Sequence, residues 1–185
     1  SPQTRVLASE LLRDCVDVDR YRVSALFDAE HVAYPYATHA CEVELDPGTG
    51  HIQITRYVVV EDCGRVINPK IVDGQICGAT AQGIGGALLE ALIYNEDGQL
   101  ITGSFMDYLL PSAADIPPFE LHHLETPAPD NPSGTKGVGE GGTLAPPGAV
   151  ANAVSHALGT ELNSLPLRPQ DVVNALSAGV TDPSS

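Results

Sequence analysis

At 185 residues and 43% hydrophobic, the chain is long enough to bury the core of one domain, or of two small lobes sharing it. Its net charge of −15 and pI near 4.5 describe a surface that repels polyanions, which argues against nucleic acid and anionic membrane as partners. Trp is absent, while 18 glycines and 15 prolines point to tight loops and helices packed through small residues.

Residues 1–32 form a weakly patterned lead-in. Leu7, Leu11, Leu12 and Val16 suggest a short helix face, and 21–27 a strand. Residues 33–38 read as a loop. From 39 the pattern sharpens. Cys41, Val43 and Leu45 alternate with Glu42 and Glu44, Asp46-Pro47-Gly48-Thr49-Gly50 turns, and a β-branched run ends in Val58-Val59-Val60. This is a β-hairpin whose second strand belongs in the centre of a sheet.

After a connection through Asn68-Pro69, a helix is expected over 71–93. It contains Gly74, Gly78, Gly83, Gly85 and Gly86. Each interior glycine costs about 1 kcal/mol relative to alanine, so close approach of a backbone or a cofactor is implied. A turn at 94–99, a short strand at 100–102 and a Pro/Ser-rich loop over 103–118 follow. Further elements are a strand at 119–124, a helix over 143–158 opened by Pro146-Pro147, a strand at 162–167, and a last helix from Pro169. Residues 179–185 read as a tail.

The segment with most chemical content is Gly134-Thr135-Lys136-Gly137-Val138-Gly139-Glu140-Gly141-Gly142. Glycines allow close backbone approach, and successive N–H groups can cradle an anion. A carboxylate held there, before a helix N-terminus, suits a general base. The competing reading is a solvated turn glutamate. Cys15, Cys41, Cys63 and Cys77 lack C-x-x-C spacing, so free thiols and no metal site are expected. The His122-His123 pair sits on a strand that turns neighbours to opposite faces, so one histidine is expected to be exposed. There is no signal-peptide pattern and no apolar run long enough to span a bilayer, so a cytoplasmic protein without membrane insertion is expected. The chain opens on Ser1-Pro2 rather than Met, which leaves open a fragment, a processed subunit or a natural split.

Three segments in this order carry a resemblance: Y-V-V-V-E-D-C-G-R-V-I-N-P at 57–69, D-G-Q-I-C-G-A-T-A-Q-G-I-G-G-A-L-L-E at 73–90, and G-T-K-G-V-G-E-G-G at 134–142 with T-L-A-P-P-G-A-V-A-N-A-V at 143–154. Together they resemble the C-terminal part of the molybdopterin-binding large subunit of the xanthine oxidase and aldehyde oxidase family, with wording nearest to large subunits of aerobic carbon monoxide dehydrogenases and their homologues. The resemblance implies an α+β fold, with a hairpin-containing sheet packed against Gly/Ala-rich helices. The family-like core would be 33–178. It implies a molybdenum-dependent oxidoreductase that oxidises a small carbon substrate with water-derived oxygen. The cofactor would be molybdopterin cytosine dinucleotide, present only in the assembled enzyme.

By the same resemblance the family's catalytic glutamate, a general base beside molybdenum, falls on Glu140. Gln75 and Gln82 become cofactor contacts, and Lys136, Gly137, Val138 and Gly139 line the cofactor. The resemblance also implies partners: the remainder of the large subunit, an iron–sulfur subunit and an FAD subunit. A complete large subunit is several times longer than this chain, so the alternative is a non-catalytic module that keeps the fold and needs the missing part for cofactor and activity. The substrate stays open among carbon monoxide, aldehydes, purines and N-heterocycles.

Overall fold

The computed structural model describes residues 13, 22–26, 28 and 31–179. The chain divides into two units, 1–30 and 31–185. In the first, 22–26 carry no strand, contrary to the expectation for 21–27, and the helix face at Leu7–Val16 lies outside the described residues.

The second unit is an α+β fold around a three-stranded sheet. Strand β1 spans Tyr36–Leu45, β2 Ile52–Asp62 and β3 Phe119–Leu124. The order is β1-β2-β3, so β2 is central, as its valines required. β1 starts three residues earlier than expected, because Tyr36, Ala37 and Thr38 continue the antiparallel ladder to Asp62, Glu61 and Val60. The register shifts between Glu42 and Val43, so Thr55 and Arg56 both face outward. At the turn, Gly50 has φ +75°, and a Cβ there would run into the Pro169 carbonyl.

β3 joins β2 in parallel, which requires a crossover. That crossover carries helix α1, Pro69–Leu88. Asn68 caps it by accepting the Ile71 N–H, and Pro69 stands where a missing N–H is harmless. The helix stops at Leu88, not 93. The Leu89 and Glu90 N–H groups turn back to the Gly85 carbonyl. Beyond them the backbone is claimed elsewhere: Ala91 O by the Thr102 hydroxyl, Ile93 N–H by Thr102 Oγ1 and Ile93 O by the Ile101 N–H. The strand expected at 100–102 is only a bridge between Tyr94 and Leu100.

Helix α2 is one turn, Gly141–Leu144, and α3 spans Pro146–Leu158. The single helix expected over 143–158 is therefore interrupted at Ala145, since Pro146 and Pro147 bring no N–H to continue the ladder. Gly159 (φ 67°) caps α3 in the left-handed conformation. Residues 162–167 form no strand. Leu162 N–H bonds the Ser155 hydroxyl and Leu167 N–H bonds the Ala87 carbonyl, so this segment ties helices together. Helix α4 spans Pro169–Gly179.

One face of the sheet, through Tyr57 and Val59, packs on Ile76, Ile84 and Ala87 of α1, Val150 and Val154 of α3, Leu167 and Val172. On the other face Arg56 makes a two-pronged ion pair with Glu120, at 2.7 and 2.8 Å. Among the described residues no helix is long and apolar enough to cross a membrane.

Candidate functional site

The exit of β2 fixes where the glycine loop lies. Gly64 bridges to Thr135, Arg65 N–H bonds Gly134 O, and Lys136 N–H bonds Cys63 O at 2.8 Å. Gly64 has φ +68°, and a Cβ there would collide with the Gly134 carbonyl, so only glycine admits the loop this close.

Asp62 is the anchor beneath this crossing. It is 1% exposed and accepts from the Gly64 N–H, the Thr126 N–H and the Lys136 ammonium, the last at 3.0 Å. Burial pushes the Asp62 carboxyl up, but the hydrogen bonds from Thr126, Gly64 and Lys136 outweigh it and hold the group far below the usual carboxylate range. Lys136 also stacks its ammonium 4.4 Å above the Tyr36 ring. Its charge is thus spent within the chain. The sequence marked Lys136 but missed Asp62, although Asp62 lies in the first resemblance segment.

Past Lys136 the loop opens to solvent. Gly137 N–H bonds the Ala33 carbonyl, and Val138 packs against the core. Among the described residues the N–H groups of Val138, Gly139 and Glu140 find no acceptor. The Gly139 carbonyl accepts from Gln75 Nε2 at 2.7 Å. Glu140 is the residue before α2; its side chain is exposed and bonds nothing among the described residues.

Two glycine contacts seat α2 on α1. A Cβ at Gly142 would stand 3.0 Å from Ala79 Cβ, and one at Gly83 would stand 2.7 Å from Thr143 O and 2.8 Å from Pro146 Cγ. Of the five α1 glycines, Gly83 and Gly85 are packed this tightly, Gly85 against Glu90 and Pro111. Gly74, Gly78 and Gly86 meet nothing within 4 Å of a built Cβ. Gln75 and Gln82 lie two turns apart, both exposed like Gly74 and Gly78. Gly139 is equally open.

The helix face, open at Gly74 and Gly78, and the loop, open at Gly139, offer two amides and N–H groups that find no acceptor among the described residues. That donor set fits a pterin edge and anionic oxygens. A cleft of about 540 Å³ lies elsewhere: it opens between Ile52, Ile54, Leu88, Ile116 and Pro169 near the hairpin turn, and no expected site residue lines it. Cys41, Cys63 and Cys77 are free, and no cluster of metal-ligating side chains occurs among the described residues.

Residues 14–117 match the molybdopterin cofactor-binding domain. The chain belongs to that family. It is 46% identical over 159 residues to the nicotine 6-hydroxylase large subunit of Paenarthrobacter nicotinovorans, covering 84% of this chain and 19% of that one. It is 34% identical over 131 residues to the carbon monoxide dehydrogenase large chain of Afipia carboxidovorans, covering 71% and 16%. Among solved structures, quinoline 2-oxidoreductase from Pseudomonas putida 86 superposes with a TM-score of 0.72 at 43% identity, over 75% of this chain and 18% of that one. Reconstituted CO dehydrogenase from Oligotropha carboxidovorans gives 0.74 at 30% identity, over 79% and 19%. The resemblance drawn from the three segments is borne out, as is the α+β fold. The chain spans about a fifth of the length of these relatives.

Proposed function

We propose that this chain supplies one wall of the active site of a molybdenum hydroxylase, with Glu140 as its general base. The observation that carries the reading is the Gln75–Gly139 hydrogen bond, which joins the glutamine face of α1 to the backbone just before Glu140. Residues far apart in sequence, each expected at a cofactor, thus share one open shelf.

On this reading a molybdenum–pterin centre, when bound, supplies the oxidant and an activated water-derived oxygen. The chain's own part is narrower. The N–H groups of Val138 and Gly139 and the amides of Gln75 and Gln82 would hold the cofactor, the first two as donors to anionic oxygens and the amides as orienting groups. Gly137 keeps the loop backbone low. Lys136 holds the loop in place through Asp62 rather than offering free charge. Glu140 would serve as the proton acceptor of the reaction. Its carboxylate is exposed in this chain, so the dry surroundings a base profits from must come from the remainder of the large subunit.

The cofactor is proposed as molybdopterin cytosine dinucleotide, and the further partners as an iron–sulfur subunit and an FAD subunit, in the cytoplasm. A subunit of the 6-hydroxypseudooxynicotine dehydrogenase complex, 48% identical over 142 residues, supports a multi-subunit assembly. The substrate class favoured is an N-heteroaromatic ring. Relatives named for nicotine, hydroxypseudooxynicotine and quinoline are 43–48% identical, against 30–36% for those named for carbon monoxide and aldehydes. Steady-state turnover of the assembled enzyme on quinoline, nicotine, benzaldehyde and carbon monoxide tests this; preference for either of the last two overturns the substrate class.

A further inference from the structure

Behind the Glu140 loop lies a row of titratable side chains that the proposal above leaves unused. Glu61 of β2 is 1% exposed, and neither of its carboxyl oxygens has a hydrogen-bond partner among the described residues. The carboxyl lies against Gly141, where a Cβ would stand 2.7 Å from Glu61 Oε1. In the parallel β2–β3 register Glu61 faces His123. His123 Nδ1 is buried and likewise without a partner among the described residues, while its Nε2 lies 2.7 Å from Asp73 Oδ1 of α1. The Asp73 side chain is 48% exposed. The row therefore leads from solvent to the residue that follows Glu140.

We propose that Glu61 is a positioning residue for Glu140, the inner end of a proton-sharing row completed by His123 and Asp73. This rests on Glu140 being the base. A buried carboxyl without donors ionises at high cost. Burial raises Glu61, His123 draws it partly back, and Asp62 raises it again. The other groups around it are few. Cys63 follows on β2, β1 places the uncharged Ala37 opposite, and α2 presents glycine backbone with Glu140 just before it. While the row keeps its proton, a neutral carboxyl fits under Gly141. Once the proton leaves, the anion must recruit donors, and the loop backbone lies against it. Because the folded-state value is raised, the seated loop is favoured at low pH and lost as pH rises through that value.

The test is amide hydrogen exchange of residues 137–144 against pH in the assembled enzyme, corrected for intrinsic exchange, with the pH profile of kcat/KM alongside. In the parent, protection of the loop should fall as pH rises. Glu61→Gln should abolish that transition. Asp73→Asn, at a half-exposed position, removes a negative charge from the row and should move the transition to lower pH. Parent-like transitions in both variants overturn the proposal. If Glu61→Gln does not fold, an unmoved transition in Asp73→Asn overturns it alone. The base assignment fails separately, through parent-like turnover of Glu140→Gln, which leaves the exchange result untouched.

Discussion

The Gln75 amide donates to the Gly139 carbonyl at 2.7 Å, so a residue 64 positions away fixes the backbone that immediately precedes Glu140. An exposed neutral hydrogen bond contributes about 1 kcal/mol, little for the fold but enough to bias a glycine loop. Gln75→Leu should melt within a few degrees of the parent. It should retain less molybdenum per assembled enzyme and exchange amides 138–140 faster. Full metal content with unchanged exchange would show that the amide is only a surface contact.

Glu140→Gln keeps size and polarity and removes the basic oxygen. The carboxylate bonds nothing among the described residues, so thermal stability should be unchanged. At matched molybdenum occupancy, kcat should drop by roughly 10²–10⁴-fold. Turnover within a few-fold of the parent would return Glu140 to the status of a solvated turn residue.

Glycines of α1 should divide by their surroundings. Gly83→Leu drives a side chain into Thr143 O and Pro146, and should cost on the order of 1–3 kcal/mol or more. Gly78→Ala meets open space and should stabilise the isolated chain by up to about 1 kcal/mol through helix propensity. On the proposed reading that same alanine intrudes on the cofactor shelf. Chemical denaturation of the chain and metal content of the assembly give the two halves of the comparison. A Gly83→Leu chain that melts like the parent would show that α1 does not pack on α2 here.

Asp62 and Lys136 form the pair whose loss should hurt most. Their side chains are 0% and 9% exposed. Asp62→Ala strands a buried ammonium and should cost about 3–5 kcal/mol. Since the folded-state carboxyl is depressed, its contribution is complete above the unfolded value near 4, and is lost as pH falls through the folded value. Acid titration of stability should therefore be steep below about pH 4 in the parent and shallower in Asp62→Ala. Parallel curves would show that the pair does not control acid stability.

The chain on its own should hold no molybdenum, because a dinucleotide cofactor needs many converging contacts to offset its ordering cost, and this chain offers one shelf. Elemental analysis of the purified chain checks this; stoichiometric metal would mean the shelf suffices.

Local patterns in the sequence determined much of the frame. Strict alternation at Cys41–Leu45 and the valine run at 58–60 specified the hairpin and its central strand, because a period of two is a local property. Asn68-Pro69 and Pro146-Pro147 marked helix starts, because their backbone effects are local as well. The glycine loop singled out Glu140 as a candidate, and its reading as the catalytic base came with the resemblance of the three segments. What required the tertiary structure was every long-range pairing. The end of α1 at Leu88 was decided by Thr102 and Ile101 claiming the carbonyls and N–H beyond it. The segment 162–167 had strand-like residues but no strand to pair with, so its backbone bonded helices instead. Lys136 looked like a free charge until Asp62, 74 residues earlier, was placed against it. Glu61 is unremarkable in sequence and His123 stood out only as one of an adjacent pair, and only the parallel β2–β3 register brings them face to face. Periodicity and turn chemistry are written along the chain; which polar group meets which is settled only when distant segments close on one another and water is excluded between them.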